Sequence, residues 1–202
     1  MVRIELVSPV AYLTQEHSEL VRVARPHLEE LAKRTGETAS LGVEVDGLVV
    51  VVDEFLTSRP SKLHLPVGQA RDDLSMADAE LFLAFKSQSD RQRRIDAGWP
   101  RLTPNTIDDA GVLMRQLDEV KAQGVAFDLE EQRLGVCAMS APVFDVLGRL
   151  RACMDVVVPA ERLSPTDLER YAVEVKVEAL ALSKDLGYES PLTRETPGQG
   201  RA

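Results

Sequence analysis

The clearest hydrophobic pattern in the sequence is a pair of apolar runs, residues 134–144 and 150–159, separated by the polar residues 145–149. Gly148 lies in the polar centre, where a glycine is typical of a β-hairpin because it accepts a positive φ angle. The pattern therefore predicts two antiparallel strands. Asp155 interrupts the second run, and a buried carboxylate without a partner is energetically costly.

Asp155 has two interpretations, and the sequence pattern leaves both open. In the ordinary one, its carboxylate faces solvent or pairs within the chain with Arg149 or Arg151. In the other, the sheet lines a pocket and Asp155 is one of the polar groups of that pocket.

The first half of the sequence predicts a helix followed by another hairpin. Apolar residues recur at spacings of three and four over residues 18–35, which is typical of an amphipathic helix, and Pro26 is expected to kink or divide it. Residues 38–45 alternate between apolar and polar, and residues 48–56 form a second strand-like run. The dipeptide Asp46-Gly47 between them is a strong hairpin signal.

The remaining segments predict further strands and four helices. Residues 61–67 alternate as a strand, which Pro66 should confine to a sheet edge. Residues 125–127 are expected to form a short strand that leads into an acidic connector. Helices are predicted over residues 75–86, 87–96 (on the surface), 106–124 and 165–186. This order of elements predicts an α+β fold, an antiparallel sheet with helices packed on it and segregated to one side.

The composition is that of a globular chain. It has 202 residues, of which 44% are hydrophobic and 28% charged, enough for one domain with its own core. The net charge of −9 disfavours a broad contact with a phosphate backbone, so direct nucleic-acid binding is not expected. The sequence shows neither a signal peptide nor a membrane span, and a cytoplasmic location without membrane contact is predicted.

Candidate catalytic chemistry is sparse. The sequence has no GxSxG, Walker A, dinucleotide-binding or HExxH motif, and its three histidines are far apart. Cys137 and Cys153 lie in apolar runs and are predicted to be reduced core thiols. Asp78, Asp128 and Asp155 each have an ordinary explanation, as a first-turn helix acid, a loop acid and a paired strand residue. Only their convergence in space would favour a functional site.

Several segments, taken together, resemble a known family. ARPHLEELAKRTGETASLGV (24–43), LHLPVG (63–68), residues 102–150 and residues 157–188 resemble, in this order, the C-terminal effector-binding domain of IclR-type transcription regulators. The resemblance implies a GAF-like domain over residues 18–188, with a lead-in over residues 1–17 and a disordered tail over residues 189–202. Family members carry a winged helix-turn-helix before this domain. Residues 1–17 are too few for one, so this chain is not expected to bind DNA itself.

The resemblance also implies a ligand site. Its seven positions in this sequence are Leu63, Ala77, Asp78, Asp128, Ala138, Asp155 and Val157. Family members bind small metabolites, often carboxylic acids, through hydroxyl and backbone donors. Asp78 and Asp155 stand where such donors are expected, and their like charges should repel an anion and each other. The effector is therefore expected to be neutral and polar, or cationic, rather than anionic, and neither a metal nor a cofactor is expected.

The register of the hairpin decides which residue of the first strand accompanies Asp155. A loop over residues 146–148 without a bulge places Cys137 on the same face as Asp155, whereas a two-residue loop or a bulge places Ala138 there. The resemblance favours Ala138, and the periodicity alone does not decide.

Two functions from different classes fit these observations. The preferred one is a regulatory sensor, not an enzyme, in which effector binding changes subunit arrangement and, in a longer protein with a winged helix, DNA affinity. The alternative is a metal-binding or enzymatic module that uses the acidic cup, or a degenerate free-standing relative that acts by protein–protein contact. A homo-oligomer, either a dimer or a tetramer, is expected, and residues 48–52 offer an apolar strand for the contact.

Overall fold

Six strands form one antiparallel sheet, in the order β3-β2-β1-β6-β5-β4. The structure is a computed structural model that describes residues 15–71 and 73–189, so the predicted lead-in and tail lie almost wholly outside the described residues. The strands are β1 (Thr38–Val45), β2 (Leu48–Phe55), β3 (Ala70–Arg71), β4 (Ala126–Leu129), β5 (Val136–Phe144) and β6 (Leu150–Pro159). The helices are α1 (Gln15–Thr35), α2 (Ala77–Ala84), α3 (Gln88–Asp96), α4 (Ala110–Gln123) and α5 (Pro165–Asp185), with a 3₁₀ turn at Ala160–Arg162.

The hairpin predicted at Asp46-Gly47 is confirmed. Asp46 has a φ angle of 51° and Gly47 one of 82°, and positive φ at both loop residues is the geometry that matches the twist of the two strands. Pro26 was expected to kink the first helix or to divide it, and the second alternative is wrong, because α1 runs through Pro26 as one helix. Pro26 lies on the exposed side of α1, where water can reach the carbonyl group that receives no proline N–H.

The strand predicted over residues 61–67 is wrong, since this segment is irregular. Leu63 and Leu65 are half-buried and His64 is exposed, so the apolar alternation is real but no neighbouring strand pairs with it. The backbone N–H of Leu65 donates to the side-chain oxygen of Glu54 instead of to a ladder. Periodicity reports which side chains point inward, and it does not report where the backbone hydrogen bonds go.

Helices cover both faces of the sheet, so the prediction that they lie on one side is wrong. α1 and α5 pack on one face, whose core includes Met139, Met154 and Val156. α2 packs on the other face with α3 and α4 behind it, and Cys153 belongs to that second core. Because successive side chains of β6 point to opposite faces, a strand covered on both sides has a nearly continuous apolar sequence. Asp155 interrupts the buried part of that sequence.

The later helices agree with the prediction except in detail. α4 begins after Asp109, whose side chain accepts from the first turn, and it ends at Gly124 with a φ angle of 69°. Thr106 does not cap α4, and its hydroxyl belongs to the turn before it. α3 is less superficial than predicted, because Arg91 and Ile95 are buried. No helix in the described part of the chain is both long and apolar enough to cross a membrane.

The register of β5 against β6 settles the choice between two residues for the pocket face. Ala138 lies opposite Val157, and Ser140 lies opposite Asp155. Ala138 and Asp155 therefore share a face, while Cys137 points to the other one. A β-bulge near the hairpin loop accompanies this register, as the second alternative required.

The apolar segment 48–52 is not available as a subunit contact. Its valines, residues 49–52, are buried within the chain. β2, which contains them, pairs with β1 on one side and with β3 on the other. The strand therefore completes the sheet of its own domain, and a contact between copies must use another surface.

Candidate functional site

A cavity of about 220 Å³ lies on the α2 side of the sheet. The irregular segment before β3, the start of α2, the end of β4 and strands β5 and β6 border it. All seven residues predicted for the ligand site line this cavity: Leu63, Ala77, Asp78, Asp128, Ala138, Asp155 and Val157. The structure thus brings together residues that are up to 94 positions apart in the sequence, from Leu63 to Val157. That these residues bind a ligand stays a prediction.

Asp155 lies at the inner wall of the cavity and is 3% exposed. Its Oδ2 accepts a hydrogen bond of 3.0 Å from the hydroxyl of Ser40 on β1. Its Oδ1 is buried and has no hydrogen-bond partner within the described residues. The ordinary interpretation by pairing with Arg149 is wrong, because Arg149 pairs with Asp145 beside the hairpin loop. Asp155 is instead held through Oδ2, while the residue lines the cavity and its Oδ1 is buried without a partner.

The surroundings of Asp155 favour its protonated form. Its pKa is raised to about 7, chiefly by burial and then by the nearby carboxylate of Asp78, while Ser140, Arg71 and Ser40 act in the opposite direction. A buried carboxyl with a pKa close to neutrality can accept or donate a hydrogen bond at physiological pH. Asp155 is therefore suited to a partner that is not itself fully charged.

Asp78, in the first turn of α2, is neutralised by a residue that the sequence did not indicate. Arg71 in β3 donates through Nη2 to Asp78 Oδ2, and both side chains are less than 10% exposed. Arg71 Nε is buried and lacks a hydrogen-bond partner among the described residues. The expected repulsion between Asp78 and Asp155 is thus reduced by a cation beside both of them. The sequence offered no signal for Arg71, since its partner lies across a loop.

Asp128, in β4 opposite Ala138, holds the loop that closes one side of the cavity. Its Oδ1 accepts hydrogen bonds from the backbone N–H groups of Glu131 at 2.8 Å and Gln132 at 3.2 Å. The pKa of Asp128 is raised to about 7, chiefly by burial and to a smaller extent by Glu131 and Asp78, despite these two hydrogen bonds. Asp128 was predicted to begin a connector, and it lies within the strand because its backbone still pairs with β5.

Sequence reasoning missed about half of the cavity wall. The further lining residues are His64, Leu65, Gln69, Arg71, Met76, Gln132, Arg133 and Val136. Leu65 carried a usable signal, because it shares the alternation that indicated Leu63. The others lie in loops or at element ends, where the sequence pattern does not specify direction.

The two cysteines are reduced and buried, as expected for core thiols. Burial raises the pKa of Cys137 to about 11, and burial raises that of Cys153 well above its ordinary value. A thiol in this state is a poor nucleophile, because the thiolate is the reactive form. Cysteine-based catalysis therefore finds no support in this site.

The alternative of a metal site in the acidic cup is also unsupported. Within residues 15–71 and 73–189, no group of three or more histidine, cysteine or carboxylate side chains is arranged to hold a metal ion. Asp78 is engaged by Arg71, and Asp128 by two backbone N–H groups. The three acids line one cavity, but each faces a different partner.

An antiparallel sheet covered by helices, with a polar cavity on one face, is the architecture of a GAF-like regulatory domain, and the predicted α+β fold is confirmed. The chain belongs to the IclR family of transcription regulators. Residues 11–184 match the family model described as bacterial transcriptional regulator IclR C-terminal. The family resemblance of the sequence is thereby confirmed.

Curated relatives are named as transcription regulators. The HTH-type transcriptional regulator KdgR of Escherichia coli strain K12 is 26% identical over 86% of this chain and 66% of its own length. The HTH-type transcriptional regulator BhcR of Paracoccus denitrificans is 30% identical over 82% of this chain and 60% of its own length. The chain thus spans about two thirds or less of the relatives it matches. These names confirm the prediction of a regulatory domain rather than an enzyme.

A solved structure agrees with the same assignment. The crystal structure of the C-terminal domain of the E. coli transcriptional regulator KdgR is 27% identical and superposes with a TM-score of 0.73. The match covers 84% of this chain and 99% of that domain. The likeness therefore extends over a whole C-terminal domain.

Proposed function

We propose that this domain senses a small molecule in the cavity around Asp155, as part of a cytoplasmic transcription regulator. The observation that carries the proposal is a pair of unsatisfied polar atoms beside one cavity. Asp155 Oδ1 and Arg71 Nε are both buried, and neither has a hydrogen-bond partner among the described residues. The hydroxyl of Ser140, opposite Asp155 on β5, is buried and unpaired in the described part of the chain as well, but Ser140 does not line the cavity. Unpaired buried polar atoms are costly in a folded protein. A bound ligand that supplies both partners would recover this cost.

The electrostatics of the cavity support a neutral, polar effector. Asp78 and Arg71 offset each other, and pKa values of about 7 leave Asp128 and Asp155 partly protonated at neutral pH. A neutral molecule with one donor and one acceptor can serve Asp155 and Arg71 together without burying an additional charge. A cationic effector is the second choice, since deprotonation of either acid leaves a negative charge at the wall.

The strand arrangement supports coupling between the cavity and the far side of the sheet. Asp155 and Val157 face the cavity, whereas Met154 and Val156 of the same strand face α1 and α5. A shift of β6 on effector binding would therefore move both faces together. We propose that this shift changes the arrangement of subunits and, in a protein that also carries a winged helix, the affinity for DNA.

Thermal unfolding with small probes of matched skeleton and different charge tests the proposal. Lactamide, lactate and 1-amino-2-propanol share a hydroxylated three-carbon skeleton and differ in charge, and xylitol adds a larger neutral polyol. A ligand that binds only the folded state stabilises it by about 2.7 kcal/mol at a hundred times its dissociation constant. We expect lactamide or xylitol to raise the unfolding temperature more than lactate does.

Two variants assign the effect to the cavity. Asp155→Asn should abolish the stabilisation by the neutral probe. Asp46→Asn makes the same change at the exposed β1–β2 turn, on a separate cavity, and should leave the stabilisation intact. Stabilisation by lactate alone, or stabilisation that survives Asp155→Asn, would contradict the proposed site.

A further inference from the structure

The outer face of α5 carries an apolar stripe that is exposed in the part of the chain that the structure describes. Val173, Val177 and Leu180 are 55%, 45% and 40% exposed. Their spacing of four and three residues places them on one side of the helix. The inner side of α5, with Val175 and Leu182, is buried in the core. Packing of α5 on its own domain uses the buried inner side of the helix. The exposed apolar residues of the stripe are therefore not explained by that packing.

The flank of α5 that faces α1 is already occupied. Glu174 pairs with Arg34 at 3.1 Å, and Glu178 pairs with His27 at 3.1 Å. These contacts join the two helices side by side and direct the stripe away from α1. The stripe is left as a separate surface, with a boundary of paired charges on this side.

Two opposite charges lie beyond the two ends of the stripe. Glu169 is four residues before Val173, and Lys184 is four residues after Leu180. Both are exposed, and neither forms an ion pair within the part of the chain that the structure describes. Since residues four apart on a helix lie on the same side, the surface runs from an acid, through three apolar residues, to a base.

We propose that this surface docks against the same surface of a second copy of the chain, with the two α5 helices antiparallel. The midpoint of Glu169 and Lys184 coincides with that of Val173 and Leu180, between residues 176 and 177. An antiparallel pair centred there sets Val173 against Leu180 of the second copy. It also sets Glu169 against Lys184 of the second copy, and the two-fold axis repeats both contacts. The charge order thus matches itself only in the antiparallel direction.

The inference names the surface through which the proposed oligomer would form, and in this respect it rests on the proposed function. A contact restricted to one pair of helices is at the small end of protein interfaces. We therefore expect a dimer that dissociates on dilution. Because the inner side of α5 packs on β5 and β6, the same helix contacts the sheet and the second copy.

Charge reversal of the full 202-residue chain tests the pairing. Glu169→Lys alone and Lys184→Glu alone should each weaken the dimer roughly tenfold in sedimentation equilibrium, since each places like charges together twice. The double variant Glu169→Lys with Lys184→Glu should return the dissociation constant close to that of the unaltered chain. Both substituted side chains are exposed, so circular dichroism should show the same helix content in all three variants.

Disulfide cross-linking tests the position of the axis. Val177→Cys, next to the midpoint, should give a covalent dimer on mild oxidation, while Lys121→Cys on the exposed side of α4 should not. The buried Cys137 and Cys153 are not expected to contribute. A monomer at all concentrations, or a Val177→Cys thiol that is protected in a monomer by another segment of the chain, overturns the proposal. So does a dimer that is insensitive to the charge reversals.

These outcomes are separable from those of the effector test. Glu169→Lys should leave the thermal shift by the neutral probe unchanged, because Glu169 is remote from the cavity lining. Failure of dimerisation with an intact thermal shift rejects the α5 surface and retains the sensor. The reverse result rejects the effector site and retains the surface.

Discussion

Ser40 on β1 donates a 3.0 Å hydrogen bond to Asp155 on the neighbouring strand β6. Ser40 is completely buried, so this contact belongs to the fold. Asp155 also lines the cavity, and its other oxygen is buried without a hydrogen-bond partner in the described structure. The same carboxyl group therefore takes part in a contact of the sheet and belongs to a residue of the candidate site. Substitution by asparagine keeps an acceptor for Ser40, whereas substitution by alanine removes it.

Asp155→Asn should alter the pH dependence of stability. The pKa of Asp155 is raised to about 7 in the folded chain from an ordinary value of 3.8. The folded state then holds the proton more tightly, so this group's contribution is fully present below pH 3.8 and is lost as the pH rises through 7. Asparagine does not titrate, and the variant should be more stable than the unaltered chain at pH 8, on the order of 1–3 kcal/mol.

Urea unfolding at pH 5 and pH 8 measures this effect. The advantage of Asp155→Asn should be larger at pH 8 than at pH 5. An equal difference at the two pH values would show that Asp155 is already ionised in the folded chain at pH 5. In that case the cavity would carry more negative charge at pH 5 than the raised pKa of Asp155 indicates.

Glu80→Gln should also stabilise the domain at alkaline pH. Glu80 is 2% exposed, and its Oε1 has no partner within the described residues. Burial raises its pKa to about 8 from an ordinary value near 4.5, even though Gln116 lowers it. Ionisation of Glu80 therefore costs stability between these two values as the pH rises. We expect a gain of roughly 1–3 kcal/mol at pH 8.5 and a smaller gain at pH 6.

Glu119→Gln on α4 provides the matched control, because Glu119 is exposed and undergoes the same chemical change. Its unfolding free energy should differ little from that of the unaltered chain at both pH values. If Glu80→Gln behaves like Glu119→Gln, burial of Glu80 does not penalise its charge as argued.

Gly42→Ala should destabilise the sheet next to Asp155. A Cβ atom at Gly42 would lie 2.7 Å from Cys153 Sγ and 3.1 Å from a methyl group of Val49. Overpacking of this kind costs about 1–3 kcal/mol. Cys153→Ala removes the sulfur, so the double variant should lose less stability than the sum of the single variants. Additive losses in urea unfolding would indicate that the loss at Gly42→Ala does not arise from the contact with Cys153 Sγ.

Local signals in the sequence predicted much of the fold. Asp46-Gly47 and Gly124 adopt the positive φ angles expected of a tight turn and a helix end, because these conformations depend on the residues themselves. The segment 61–67 was misassigned because a strand also requires a neighbour to pair with. Arg71 was missed because its value to the site lies in a contact with Asp78, and no pattern in the sequence encodes that contact.

The candidate site was predicted more completely than its chemistry. Asp78, Asp128 and Asp155 were singled out as acids beside apolar elements, and all three line the cavity. Their raised pKa values and hydrogen bonds depend on burial and on backbone positions that periodicity does not specify. The choice of Ala138 over Cys137 depended on a bulge, which shifts the register by one residue without altering the apolar pattern.

Arg162→Met should destabilise the connection between β6 and α5. Glu37, before β1, is 1% exposed and accepts hydrogen bonds of 2.8 and 2.5 Å from Arg162 in the 3₁₀ turn. Methionine keeps the apolar stem but leaves the buried carboxylate with only Arg59, 3.8 Å away. Removal of one partner of a buried ion pair is costly, and we expect a loss of roughly 3 kcal/mol at pH 7 in urea unfolding.

Two comparisons separate loss of the charge from loss of packing at Arg162. Lys33→Met removes the cation of the exposed Lys33–Glu29 pair, with side chains 62% and 45% exposed, and should change stability little because exposed pairs are screened. Glu37→Gln in the Arg162→Met background should recover part of the loss, since a neutral amide needs no counter-charge. A loss at Arg162→Met no greater than at Lys33→Met would mean that Arg59 and water neutralise Glu37. No recovery by Glu37→Gln would assign the loss to packing of the turn.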